Sequence, residues 1–201
     1  MDLTQYFRLN SLIKIKTSHL FCKMEFSVLV KLRQSDRKYL NQPVEKEKLV
    51  QCIESARLSP SANNSQPWRF IIVDDQNLVK EMAGYVNMLG LNKFADQVPV
   101  FIAVVVEKES LLSTIHGAMS NKAYYLMDIG MAVNQLCLQA TDLGLGTCII
   151  GWFDEKKVKK LLKVNKTKRV PLLISIGYPA SKTRVKSRKS FNEICSWNRY
   201  R

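Results

Sequence analysis

The sequence predicts one mixed α and β domain, on three observations. Apolar runs at 70–73, 98–106 and 170–177 read as buried strands. Apolar residues recur at helical spacing before, between and after those runs. The chain has 201 residues, 46% of them hydrophobic, enough for one sizeable core.

Composition excludes several classes. The longest uninterrupted apolar run, 98–106, is about half what a membrane-spanning helix needs. Near the start, Lys14 and Lys16 interrupt any secretory signal. Five cysteines (Cys22, Cys52, Cys137, Cys148, Cys195) are widely spaced with no C-x-x-C. Three of them lie in apolar patterns, which suits buried thiols in a reducing, cytoplasmic compartment. With His19 and His116 as the only histidines and no Cys/His cluster, no metal site is expected.

The net charge of +14 admits a nucleic-acid partner. However, Lys156, Lys157, Lys159, Lys160 and Lys163 alternate with Val158, Leu161 and Leu162 at helical spacing. They read as the wet side of a packed helix. No interleaved aromatics offer a stacking platform for bases. A solvated helix face plus a site for an anionic cofactor is the preferred reading.

Taken in order, residues 1–24 show no clear period. They are expected to be a peripheral extension, with Met24 a plausible alternative start and 25–201 the domain proper. Phe26, Leu29, Val30 and Leu32 form a short apolar helix face, followed by Arg33-Gln34-Ser35-Asp36-Arg37. That R-x-S-x-R spacing sets two guanidiniums and a hydroxyl at a helix end, donors suited to phosphate oxygens. Pro43 stands near the next helix start, with Glu45 and Glu47 in its first turn and Leu49, Cys52, Ile53 and Ala56 on its buried face.

Residues 59–70 (Ser-Pro-Ser-Ala-Asn-Asn-Ser-Gln-Pro-Trp-Arg-Phe) are nearly all turn formers and amide or hydroxyl side chains. They read either as an ordinary polar loop or as a loop built to hydrogen-bond a heteroaromatic edge. A helix is expected over 78–88, and a central strand over 98–106 with Pro99 at its start. Ser113, His116 and Asn121 lack the spacing of a Ser/His/Asp site, so His116 is expected to be a partly exposed histidine.

The longest helix signal is 124–143. Leu126, Ile129, Val133, Leu136, Cys137, Ala140 and Leu143 line one face, widened by Met127, Met131 and Leu138. Such a helix is buried on more than one side, in a monomer core or at the centre of a dimer. Gly144 and Gly146 end it. Gly144, Gly146 and Gly151 do not give G-x-G-x-x-G, and Trp152-Phe153 stands where a phosphate loop needs Lys-Ser/Thr. Asp154 is placed to cap the lysine-rich helix, with Glu155 in its first turn. After Tyr178-Pro179 comes a basic run, Lys182 to Lys189.

Four of these segments, in this order, resemble the nitroreductase family. They are R-x-S-x-R at 33–37, S-P-S-x-x-N-x-Q-P-W-x-F at 59–70, G-L-G-T…I-G-x-F-D at 144–154, and G-Y-P followed by K-S-R at 177–188. The resemblance implies an α+β nitroreductase-like fold, a central mixed or antiparallel sheet flanked by helices, and a homodimer with FMN at the interface. It implies hydride transfer from NADH or NADPH to flavin N5, then reduction of a nitroaromatic, quinone or similar electrophile. Family relatives also perform dehalogenation or flavin cleavage.

By that resemblance Arg33 and Ser35 contact the phosphate or ribityl chain, Arg37 the pyrimidine end, and Lys186 and Arg188 the phosphate. Pro60, Ser61, Ala62, Asn64 and Gln66 supply the loop, from the other subunit. Gly151 packs its backbone near N5 beside Ile150, which stands where some relatives have an acid, so that acid's role does not carry over. No catalytic side chain is implied, because the flavin carries the redox chemistry.

Overall fold

The computed structural model describes residues 24–107, 117, 119 and 121–200. Ser113, His116 and all but the last residue of the expected extension lie outside them. Two helices come first, α1 (Phe26–Leu32) and α2 (Lys46–Arg57), then a 3-10 turn at Ala62–Asn64. Next are β1 (Trp68–Val73), α3 (Gln76–Val86), β2 (Val100–Val106), α4 (Tyr124–Asp142), β3 (Gly146–Ile150), α5 (Glu155–Leu161), β4 (Leu172–Gly177) and α6 (Phe191–Ile194). The expected helix at 78–88 is α3, shifted because Asp75 Oδ1 caps it by accepting the Asn77 and Leu78 N–H groups.

The four strands form one sheet in the order β1-β2-β4-β3, antiparallel at every pairing. β3 is a strand that the sequence reading leaves as the glycine-bounded segment after the long helix. Alternation along β2 makes the sheet two-sided. Phe101, Ala103 and Val105 pack with Met82 and Val86 of α3 and Val158 of α5. Val100, Ile102 and Val104 pack with Leu49 and Cys52 of α2 and Ile129, Val133 and Leu136 of α4. A strand buried on both faces needs an unbroken apolar run, which is why 98–106 stands out in the sequence.

Two expectations about helix faces need correction. On α4, Ile129, Val133, Leu136, Cys137 and Ala140 are buried as expected, but Leu126, Met127 and Met131 are exposed at 47%, 53% and 42%. They lie on the flank that α2 and the sheet do not cover. On α1, the apolar face of Phe26, Leu29, Val30 and Leu32 contributes no buried residue. Both helices thus present apolar surface outward on a single chain.

The buried thiols behave as inert core. Cys52, Cys137 and Cys148 are buried and unpaired, and burial pushes the Cys52 thiol up to about 12. Among the described residues, no helix is long and apolar enough to cross a membrane, and no His/Cys/Asp/Glu group is suited to a metal.

Gly177 closes β4 where the chain is most crowded. A Cβ there would stand 2.6 Å from Pro99 Cγ and 3.0 Å from the Tyr39 ring. Neither is a flexible chain end, so Gly177→Ala is expected to destabilise by about 1–3 kcal/mol. Urea denaturation checks this; an unchanged midpoint would show that Pro99 yields freely.

Candidate functional site

The site starts where α1 ends. Arg33 is the C-terminal cap of α1, and the chain then runs extended beside the free edge of β3. Ser35 pairs with Thr147 in a parallel bridge, and the Asp36 N–H donates to Thr147 O at 2.8 Å. Gly146 makes the approach possible, since a Cβ there would sit 2.6 Å from Asp36 Oδ2.

The C-terminal run folds back onto this segment. Arg184 donates from its backbone N–H to Gln34 Oε1 at 3.0 Å and from a terminal guanidinium nitrogen to Ser35 O at 2.8 Å. Lys186 Nζ donates to Val30 O at 3.0 Å and to Lys31 O, carbonyls at the end of α1. Burial pushes the Lys186 ammonium down, and the Arg33 and Arg188 cations push it further. Between the two segments lies a cleft of about 360 Å³ lined by Arg33, Ser35, Arg37, Arg184, Lys186 and Arg188.

The guanidiniums of Arg33 and Arg37 make no hydrogen bond with any described residue. Two forked donors and a hydroxyl beside further cations are the set that a phosphate dianion requires. The open edge of β3 continues from this cleft. Backbone groups alternate along an antiparallel strand, and Thr147 faces outward toward Ser35. Ile149 therefore also faces the open edge, with Gly151 next in that series. Ile150 instead faces β4 through its backbone and is buried by its side chain.

The loop at 60–66 is built separately. Both Asp128 carboxylate oxygens, on α4, accept the Ala62 N–H, at 3.2 and 3.1 Å. Asn63, Asn64 and Gln66 adopt left-handed backbone, with φ of 51, 52 and 46°. Ser61 Oγ accepts the Gln66 N–H at 3.0 Å, and Gln66 Nε2 donates to Asn64 Oδ1 at 3.2 Å. Asn tolerates such backbone and Gln does so less readily, which marks a loop held by its own hydrogen bonds.

Of the residues named from the sequence, Arg33, Ser35, Arg37, Lys186 and Arg188 therefore converge. The loop carrying Pro60, Ser61, Ala62, Asn64 and Gln66 is tied to α4 through Ala62, and none of these five lines the basic cleft. Three polar residues at these places escape sequence reasoning. Arg184 lies unmarked within the basic run. Asp36 stands at a variable position of R-x-S-x-R. Asp128 is the isolated acid in the apolar stripe of α4, and its presence there was the available signal.

An α+β chain with an arginine-lined cleft at the edge of an antiparallel sheet has a surface suited to an anionic group such as a phosphate. The family model for the nitroreductase family matches residues 30–91 and 85–178. The oxygen-insensitive NADPH nitroreductase of Helicobacter pylori (strain J99) is 30% identical over 179 residues, covering 74% of this chain and 84% of that protein. Among solved structures, a nitroreductase family protein of Clostridium novyi NT superposes with a TM-score of 0.69 at 32% identity, covering 78% of this chain and 87% of that one. The FMN-dependent nitroreductase of Clostridium difficile R20291 superposes with a TM-score of 0.71 at 27% identity, covering 86% and 98%. The chain belongs to the nitroreductase family and is an FMN- and NAD(P)H-dependent oxidoreductase.

Proposed function

We propose that two copies of this chain enclose each FMN between them and use NADH or NADPH to reduce a small conjugated electrophile, a nitroaromatic or a quinone. The observation that carries this reading is the division of the site. The cations stand at one end of the β3 edge, the amide-rich loop stands on α4, and exposed Leu126, Met127 and Met131 lie on α4 near that loop. A two-fold contact through α4 brings one chain's loop to the other chain's cleft.

In this reading Arg33, Lys186 and Arg188 hold the phosphate, and Ser35 adds a donor. Arg37, exposed at the mouth of the cleft, sets positive charge against the pyrimidine end. Pro60, Ser61, Ala62, Asn64 and Gln66 of the second chain cover the ring. The Gly151 backbone lies against it, and Ile150 supports that turn from the core. FMN held by these residues would supply the redox chemistry that links the nicotinamide to the acceptor. The protein binds, orients and excludes water, and among the described residues no side chain is assigned the role of nucleophile or acid–base pair. A reducing cytoplasm suits both the buried thiols and the nicotinamide supply.

The purified protein is expected to be yellow, with flavin absorbance. A colourless protein that binds DNA in a salt-dependent way would overturn the reading. If donor and acceptor use one pocket in turn, initial rates at varied donor and acceptor give parallel double-reciprocal lines. Intersecting lines would require both at once and sink the shared pocket.

A further inference from the structure

At the floor of the basic cleft lie two polar side chains that none of the roles above uses, Gln34, which lines it, and its partner Asp36, 9% and 6% exposed. Gln34 Nε2 donates to Asp36 Oδ1 at 2.8 Å, and Gln34 Oε1 accepts from the Arg184 N–H at 3.0 Å and Arg184 Nε at 3.4 Å. Gln34 Nε2 also reaches Lys182 O at 3.4 Å. Asp36 is itself fixed: its N–H is held by Thr147 O at 2.8 Å, and its carbonyl accepts the Tyr39 hydroxyl at 2.9 Å. A continuous chain of bonds thus runs from the edge strand through Asp36 and Gln34 to the backbone of the C-terminal arm.

Beyond this chain of bonds the arm is held by Arg184 on Ser35 O and by Lys186 on the carbonyls ending α1, all of them polar contacts. From Ser181 to Tyr200 every residue except Lys186 is exposed, and Val185 is fully so. With no apolar anchor, its ordering entropy is offset by polar contacts, which count for more where they are buried. The Asp36 carboxylate also interacts with two of the cleft's cations, Arg184 and Arg33, and offsets part of their mutual repulsion.

We propose that Asp36, Gln34 and Arg184 form a latch that holds arm residues 182–188 against the cleft. Gln34 and Asp36 are then positioning residues that set FMN affinity by holding the arm in place, and Arg184 adds a cation to the phosphate end. The inference rests on reading the cleft as the phosphate half of the FMN site.

Two measurements on the full chain test it: amide exchange over 182–188 without ligand, and affinity for FMN against riboflavin, which lacks the phosphate. In Gln34→Glu the donor to Asp36 is lost, and repulsion from the Asp36 carboxylate drives the new side chain, with its acceptor, away from the Arg184 N–H. Exchange at the Arg184 amide is expected to rise about tenfold and FMN affinity to fall about tenfold, with riboflavin unchanged. Adding Asp36→Asn supplies a donor from the other side and restores the chain of bonds with its polarity reversed. Both readouts should return toward the starting protein.

Unchanged exchange in Gln34→Glu, or equal loss of FMN and riboflavin without rescue, would overturn the latch. If Gln34→Glu does not fold, Gln34→Met removes both the donor to Asp36 and the acceptor for Arg184 without adding charge and is judged by the same readouts. If the starting protein binds neither ligand, the FMN reading falls, and the exchange data still decide for or against the latch.

Discussion

A mixed dimer of two damaged chains is expected to regain one working site. One variant carries Arg33→Ala and Arg188→Ala in the cleft; the other carries Ser61→Val and Asn64→Leu in the loop. Each homodimer then has two impaired sites and little bound FMN. In the mixed dimer both lesions fall in one site and the other is intact, so flavin and activity return to about half per dimer. The reason is symmetry: the cleft and the loop share no lining residue within one chain. A site completed within one chain cannot be rescued this way. Folded mixed dimers that remain empty would end the composite-site proposal.

The second large effect is expected at the phosphate. Arg33→Ala and Arg188→Ala each remove a guanidinium from the cleft of about 360 Å³. Each should weaken FMN by roughly 1.5–3 kcal/mol, the worth of a charge-assisted hydrogen bond. That corresponds to about 10- to 150-fold in Kd. Riboflavin should be nearly indifferent to Arg188→Ala. Titration by flavin fluorescence reads both, and equal losses for the two ligands would make Arg188 a structural residue. Lys186 is a weaker candidate for the same test, because its ammonium already bonds Val30 O and Lys31 O at the end of α1.

Most of the site was legible because its chemistry is local. The forked donors of Arg33 and Arg37, the turn formers at 59–67 and the cap at Asp154 act through neighbours a few residues away. The cap is found as expected, with Asp154 Oδ1 accepting the Lys157 N–H at 3.0 Å. The network at Gln34 was not legible, because its partner Arg184 is 150 residues later and nothing in either neighbourhood marks the pairing. Asp128 shows an intermediate case: an acid in an apolar stripe asks for a partner, but only the fold reveals it to be the Ala62 N–H.

By itself the sequence determined the longer helices, the strands β1, β2 and β4, the burial of β2 and the order of the four family segments, but not that β3 is a strand. Periodicity and side-chain chemistry are properties of the chain as written. Tertiary structure decided what depends on distance between remote segments. It made the sheet antiparallel in the order β1-β2-β4-β3 and put β3 at its edge, where Ser35 could pair with Thr147. It also left Leu126, Met127 and Met131 exposed on α4, although their spacing matches that of the buried face. Apolar periodicity says that a helix face must be covered, and only the packing of neighbours decides whether the same chain covers it.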